Sequence, residues 1–163
     1  MTAPLVVRAP LPGTVLPITE VPDPVFAASM VGAGVGIEPG PDAGVLDVVA
    51  PVGGRLLKVH PHAFIVLTPE GRGVLVHVGI DTVRLDGAPF TLHVSEGEDV
   101  AAGQRVVSVD VPAVRAAGMS PVSPVVVMDA AAETMPPVPA GTQVVAGDEL
   151  FRWPLDQPGA PVG

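Results

Sequence analysis

Imidazole is the side chain that changes charge near neutral pH and serves equally as nucleophile, acid, base or ligand. Two of the four histidines fall where they can act together, in the stretch His60 to Gly87, HPHAFIVLTPEGRGVLVHVGIDTVRLDG. Pro69, Glu70, Gly71 and Arg72 supply a turn signal between two runs of β-formers, so the stretch reads as a hairpin. With those four residues as the turn, Thr68 faces Gly73, Phe64 faces His77 and His62 faces Gly79. Alternation then gathers His62, Phe64, Val66, Leu75, His77 and Gly79 on one face, with the histidines as diagonal neighbours roughly 7–8 Å apart at Cβ. A one-residue slip separates them onto opposite faces.

The opposite face, Ala63, Ile65, Leu67, Val74, Val76 and Val78, is unbroken aliphatic and is the expected core. That leaves the histidine face as an apolar docking patch around a reactive group, with Gly79 leaving space beside the rings. The alternative is a second buried layer holding two satisfied core histidines.

These histidines need a rigid frame, and the chain spells out a β-rich one. Short β-branched runs around 45 to 50, 54 to 59, 62 to 68, 73 to 79, 104 to 109, 122 to 128 and 148 to 153 are separated by Gly, Pro and Asp. Asp23 and Pro24 open one short helix that Gly32 should close, and Asp110, Pro112 and Gly118 repeat the grammar. Gly97 to Val106 matches Gly141 to Leu150 at a constant offset of 44, sharing two glycines, an alanine and two aliphatic positions. The expectation is an all-β, compact antiparallel sandwich or barrel with an internal pseudo-repeat and one or two very short helices. Residues 1 to 17 are Pro-rich and aperiodic, and read as a tail or an extended segment lying on the domain.

At 163 residues the chain suits one domain, and 48% apolar residues fill its core. No window approaches the roughly 20 apolar residues of a spanning helix, and no signal-like core is present, so a soluble cytoplasmic protein is expected. A net charge of −9 with eight Lys plus Arg argues against nucleic acid and for basic protein partners. There is no Cys, so disulfides and thiolate chemistry are excluded.

Val31 to Gly36 superficially suggests a phosphate loop, but its glycine spacing is wrong and prolines follow where a helix should start. His60, His62, His77 and His93 are potential metal ligands, yet no Asp or Glu completes a tetrahedral set, and neither metal nor cofactor is expected. Ala50-Pro-Val-Gly-Gly54 with Val94 to Val109 is similar to lipoyl and biotinyl carrier domains. The lone lysine, Lys58, stands in the wrong place to be their modified residue.

A closer resemblance rests on Pro61-His62-Ala63-Phe64, Leu75-Val-His77-Val-Gly79-Ile-Asp81-Thr-Val83 and Leu85-Asp-Gly87. Val21-Pro-Asp-Pro-Val-Phe-Ala27, Val31-Gly32, Val49 to Gly54 and Glu96 to Gly103 extend it in the same order. Together they resemble the glucose-type enzyme IIA of the bacterial phosphoenolpyruvate:sugar phosphotransferase system. The resemblance covers roughly residues 18 to 155, leaving 156 to 163 as a C-terminal tail. It implies a phosphocarrier that takes a phosphoryl group from phospho-HPr and hands it to the IIB domain of a sugar permease. By the same resemblance His77 carries the phosphoryl group and His62 assists transfer. Contact with the membrane would run only through the permease. Phe64, Leu75, Val76 and Val78 would form the docking patch and exclude water. Asp81 would bond a histidine or steer basic partners, unless it is only a turn residue. A non-catalytic regulatory module on the same fold is the alternative.

Two departures stand out. His60 occupies the place of a Thr usual in the family, from which it could orient a neighbouring ring as a hydrogen-bond donor or simply be a solvated strand end. Ala33 stands where enteric members carry an acidic residue.

Overall fold

The computed structural model describes residues 3–155, so the expected tail at 156 to 163 lies outside the described residues. Elements in chain order are β1 (Leu5–Arg8), β2 (Gly13–Pro17), α1 (Pro24–Ala27), β3 (Gly32–Glu38), β4 (Val45–Val49), β5 (Gly54–His60), β6 (Ala63–Leu67) and β7 (Gly73–His77). They continue with β8 (Phe90–Leu92), β9 (Asp99–Val100), β10 (Arg105–Asp110), α2 (Val111–Ala116), β11 (Ser123–Met128), β12 (Gln143–Val144) and β13 (Glu149–Trp153). Every strand pair is antiparallel. A curled sheet of eight strands in the order β12-β2-β3-β11-β7-β6-β5-β9 is completed by the small sheets β4-β10-β8 and β1-β13. The expected all-β class and the two short helices are present.

The repeat read at offset 44 is a structural one. Gly103 N–H donates to the Ala50 carbonyl at 2.8 Å, and Gly147 N–H donates to Ala9 at the same distance. One turn earlier, Gly97 N–H donates to Leu56 at 2.8 Å and Gly141 N–H to Val15 at 2.9 Å. Each repeated segment thus clasps a partner strand, and the partners repeat as well, with Ala9-Pro10 and Gly13 echoed by Ala50-Pro51 and Gly54. The eight-stranded order accordingly reads as two related halves meeting at β11 and β7.

Of the two readings of residues 1 to 17, a tail or an extended segment lying on the domain, the described part fits the second and carries β1 and β2. Leu5, Val7, Ala9, Leu11 and Val15 are all part of the main core, which reaches to Trp153. Pro4, Pro10, Pro12 and Pro17 sit before, between and at the end of these strands, so they interrupt the sequence period without breaking the ladders. The glycine run Val31 to Gly36 is mostly β3, where a Cβ on Gly32 or Gly34 would collide with the Val127 or Val125 carbonyl of β11.

Both helices open as their caps predict. Asp23 Oδ1 accepts from Val25 N at 2.9 Å and Phe26 N at 3.2 Å, and Asp110 Oδ1 accepts from Ala113 N at 3.1 Å. Gly118 follows α2 with φ +78°, as expected. The first helix ends earlier than Gly32, because Ser29 takes the left-handed conformation (φ +56°) and turns the chain into β3. Among the described residues, no helix is long and apolar enough to cross a membrane.

Candidate functional site

The hairpin β6–β7 forms, but one residue out of the expected register. Leu67 pairs with Gly73 and Ala63 with His77. The loop is three residues rather than four: Thr68 N–H donates to the Arg72 carbonyl at 2.8 Å, and Gly71 takes φ +85°. That is the three-residue hairpin loop in which a glycine in the left-handed region closes the turn. Arg72 therefore belongs to the closing pair, its guanidinium lying 4.8 Å from the centre of the Trp153 ring.

The slip exchanges the faces of β6 alone, while Val74, Val76 and Val78 of the second strand and its continuation keep the core side expected of them. Phe64, Val66, Val74, Val76 and Val78 are buried in the main core, while Ile65, Leu67, Leu75 and His77 share the half-buried face with Ala63. Phe64, Val76 and Val78 are thus not docking residues, and of the expected patch only Leu75 faces the site side. Leu75 packs against a separate apolar cluster containing Val21, Phe26, Ile80, Val122 and Val126.

A slip should also have parted the two histidines, and the turn before β6 prevents it. His60 at the end of β5 pairs with Ala63, leaving Pro61 and His62 as the two turn residues. The fixed φ of Pro61 suits the first of these positions. His62 lies off the strand, so alternation no longer dictates its side. Its ring meets His77 edge-to-face, with centroids 5.2 Å apart. His60 stacks on His62 at 5.8 Å with the planes inclined by 27°. His93 is not part of this group; its Nε2 bonds Ser108 Oγ at 2.7 Å on the β8–β10 pair.

The His77 ring is held by backbone. Its Nδ1 lies 2.6 Å from the Gly79 carbonyl oxygen, an acceptor, so Nδ1 carries the proton and Nε2 keeps its lone pair. Gly79 does not serve as empty space: it is buried with φ +78°, and a Cβ there would meet Thr82 Cγ2 at 2.6 Å. The peptide preceding Gly79 is fixed at both ends by buried hydroxyls. Thr82 Oγ1 donates to the Val78 carbonyl at 2.7 Å, and Gly79 N–H donates to Ser123 Oγ at 3.2 Å. The next peptide is tied by Ile80 N–H to the Ser120 carbonyl at 2.9 Å. None of Thr82, Ser120 or Ser123 was singled out from sequence.

Phe26 and Asp23, from the first short helix and its cap, also border His77. Phe26 meets His77 edge-to-face at 5.4 Å. Burial pushes the His77 pKa below the ordinary imidazole value, against an upward pull from the Gly79 hydrogen bond and the Asp23 and Asp81 charges. Burial likewise lowers His62, reinforced by the neighbouring His77 and His60. Asp81 is exposed, in a left-handed turn (φ +61°), and acts on His77 through charge. The site therefore presents a neutral, tautomer-fixed imidazole beside a second neutral imidazole.

The all-antiparallel fold and its site are those of a family of known proteins. The model of the family described as the phosphoenolpyruvate-dependent sugar phosphotransferase system, EIIA 1, matches residues 5–133. The chain belongs to that family, and it is a phosphocarrier of the sugar phosphotransferase system. The glucose-specific EIIA component of Bacillus anthracis is 39% identical over 147 residues, covering 88% of this chain and 87% of that one. Its counterpart in Halalkalibacterium halodurans is 40% identical over 144 residues, covering 87% and 81%. The glucose-specific EIICBA component of Streptococcus pneumoniae is 47% identical over 108 residues, which are 65% of this chain and 14% of that longer protein. Among solved structures, glucose permease IIA from Mycoplasma capricolum superposes with a TM-score of 0.81 at 36% identity, covering 91% of this chain and 95% of that one.

Proposed function

We propose that Nε2 of His77 accepts the phosphoryl group from phospho-HPr and passes it to a IIB domain, with His62 assisting both transfers. The observation that carries this reading is the Nδ1 bond to Gly79, which leaves Nε2 as the nucleophilic nitrogen. In the accepting step the donor's P–N bond breaks as the Nε2–P bond forms. The leaving imidazole keeps its electron pair, and the Nδ1 proton stays against the Gly79 carbonyl throughout. Such transfers depend on alignment and on stabilising charge over the phosphoryl oxygens, and an N–H on His62, whose ring lies 5.2 Å from that of His77, would supply that.

The net charge of −9 favours basic partners, and Asp23 and Asp81 bring two of the carboxylates close enough to act on His77. Acceptance from HPr and delivery to a permease place the reaction in the cytoplasm. The relatives named glucose-specific make the IIB domain of a glucose permease the first acceptor to test, since the sugar itself meets the permease rather than this chain. Incubation with phosphoenolpyruvate, enzyme I and HPr should yield an acid-labile, base-stable adduct on the wild type and none on His77→Ala. His62→Gln should still be labelled, at least slowly, but deliver poorly to IIB. Labelling of His77→Ala would overturn the assignment of the acceptor, and normal delivery by His62→Gln would remove His62 from the mechanism.

A further inference from the structure

His60, Ala63 and His77 are ladder neighbours on β5, β6 and β7, so their side chains emerge on one face. Adjacent strands lie about 4.8 Å apart, which sets the outer two roughly 10 Å from each other. Alanine between them is short, and the ring of His62, arriving from the turn, occupies the room above it. The result is a row of three imidazoles across three strands, with spacings of 5.8 and 5.2 Å. His77 is anchored by its bond to Gly79, whereas no hydrogen bond holds the His62 ring among the described residues. His62 is oriented by its ring neighbours.

We propose that His60 is a positioning residue for phosphoryl transfer, stacking on His62 and holding that ring edge-on to His77. This rests on the roles assigned above to His62 and His77. His60 is exposed at the outer end of the row. Burial first, then the neighbouring His77 and His60, disfavour protonation of His62, which leaves the assisting ring a neutral donor. The other titratable groups bearing on the row are His77 beside His62, and Asp23 and Asp81 beside His77.

The test separates stacking from hydrogen bonding by using three variants, His60→Phe, His60→Thr and His60→Ala. Ring-nitrogen NMR titration of His62 in the unphosphorylated protein reads the contact without any transfer. Phe and Ala should both raise the His62 pKa toward its ordinary value, and only Phe should preserve the ring-current shifts that stacking imposes. In transfer to IIB, Phe should keep most of the wild-type rate, while Thr and Ala should lose about three- to thirtyfold. Rescue by Thr but not Phe would overturn stacking as the cause. Wild-type titration and rates in all three variants would make His60 a solvated strand end. Failure of the wild type to label at His77 would instead refute the site assignment, and the titration would still judge the His60–His62 contact.

Discussion

At the residue scale, one hydrogen bond decides the chemistry and several charges tune it. Burial keeps His77 neutral, and Asp23 partly opposes that by favouring the imidazolium. Because the folded pKa lies below the ordinary value of 6.5, the proposed nucleophile is neutral at pH 7 and becomes protonated only as pH falls through the lowered value. Stability has the same sign. Below about 6.5 the unfolded chain binds a proton that the folded one refuses, so folding weakens progressively toward acid. Asp23→Asn isolates the charge, since Asn caps a helix about as well as Asp. It should lower the His77 pKa further by NMR titration, shift the acid limb of phosphorylation to lower pH, and leave stability at pH 8 nearly unchanged. An unmoved or raised His77 pKa would show that the Asp23 carboxylate does not act on the ring.

At the scale of elements, the site is a meeting of two turns and a strand end. The hairpin itself, its strands and both capped helices are legible in the sequence, because alternation and caps are local signals. The register is not. It depends on whether Pro69 to Gly71 or Pro69 to Arg72 forms the loop, and that is decided by Gly71 entering the left-handed region while Arg72 closes the ladder beside Trp153. The pairing of His62 with His77 is therefore right for a reason the pattern does not contain, namely a turn residue freed from alternation. Most of the clamp on Gly79 is equally invisible, since Ser120 and Ser123 approach it from a distant segment, while Thr82 folds back from the turn that follows Gly79. Gly79→Ala tests that clamp. Its strained φ and the clash with Thr82 should cost about 1–3 kcal/mol in chemical denaturation. Phosphorylation should fall far more than that loss of folded protein explains, because the carbonyl that fixes the His77 tautomer must move. Loss of activity no greater than the unfolded fraction would show that the carbonyl's position is unimportant.

At the scale of the whole molecule, two related halves share one core, and strands from the first and last segments lie side by side as β1 and β13. Only the second part of the repeat is visible as matching residues. The strands it clasps diverge except at Ala9-Pro10 with Gly13 and Ala50-Pro51 with Gly54, and prolines hide the first of them from any periodic reading. The two glycines do the same physical work. A Cβ on Gly13 would run into the Glu38 carbonyl on β3, and one on Gly54 would run into the Leu67 carbonyl on β6. In each half the first strand of the clasped pair must approach its neighbour more closely than any side chain permits. Gly13→Ala and Gly54→Ala should each destabilise the fold by about 1–3 kcal/mol in urea denaturation, as overpacking does. Because both strands feed one core, each variant should still unfold in a single transition, with far-UV dichroism and the fluorescence of the buried Trp153 changing together. If Gly13→Ala is neutral while Gly54→Ala is costly, the first half does not repeat the constraint of the second. Separate transitions for the two probes would make the β1–β13 pair an independent unit rather than part of the common core.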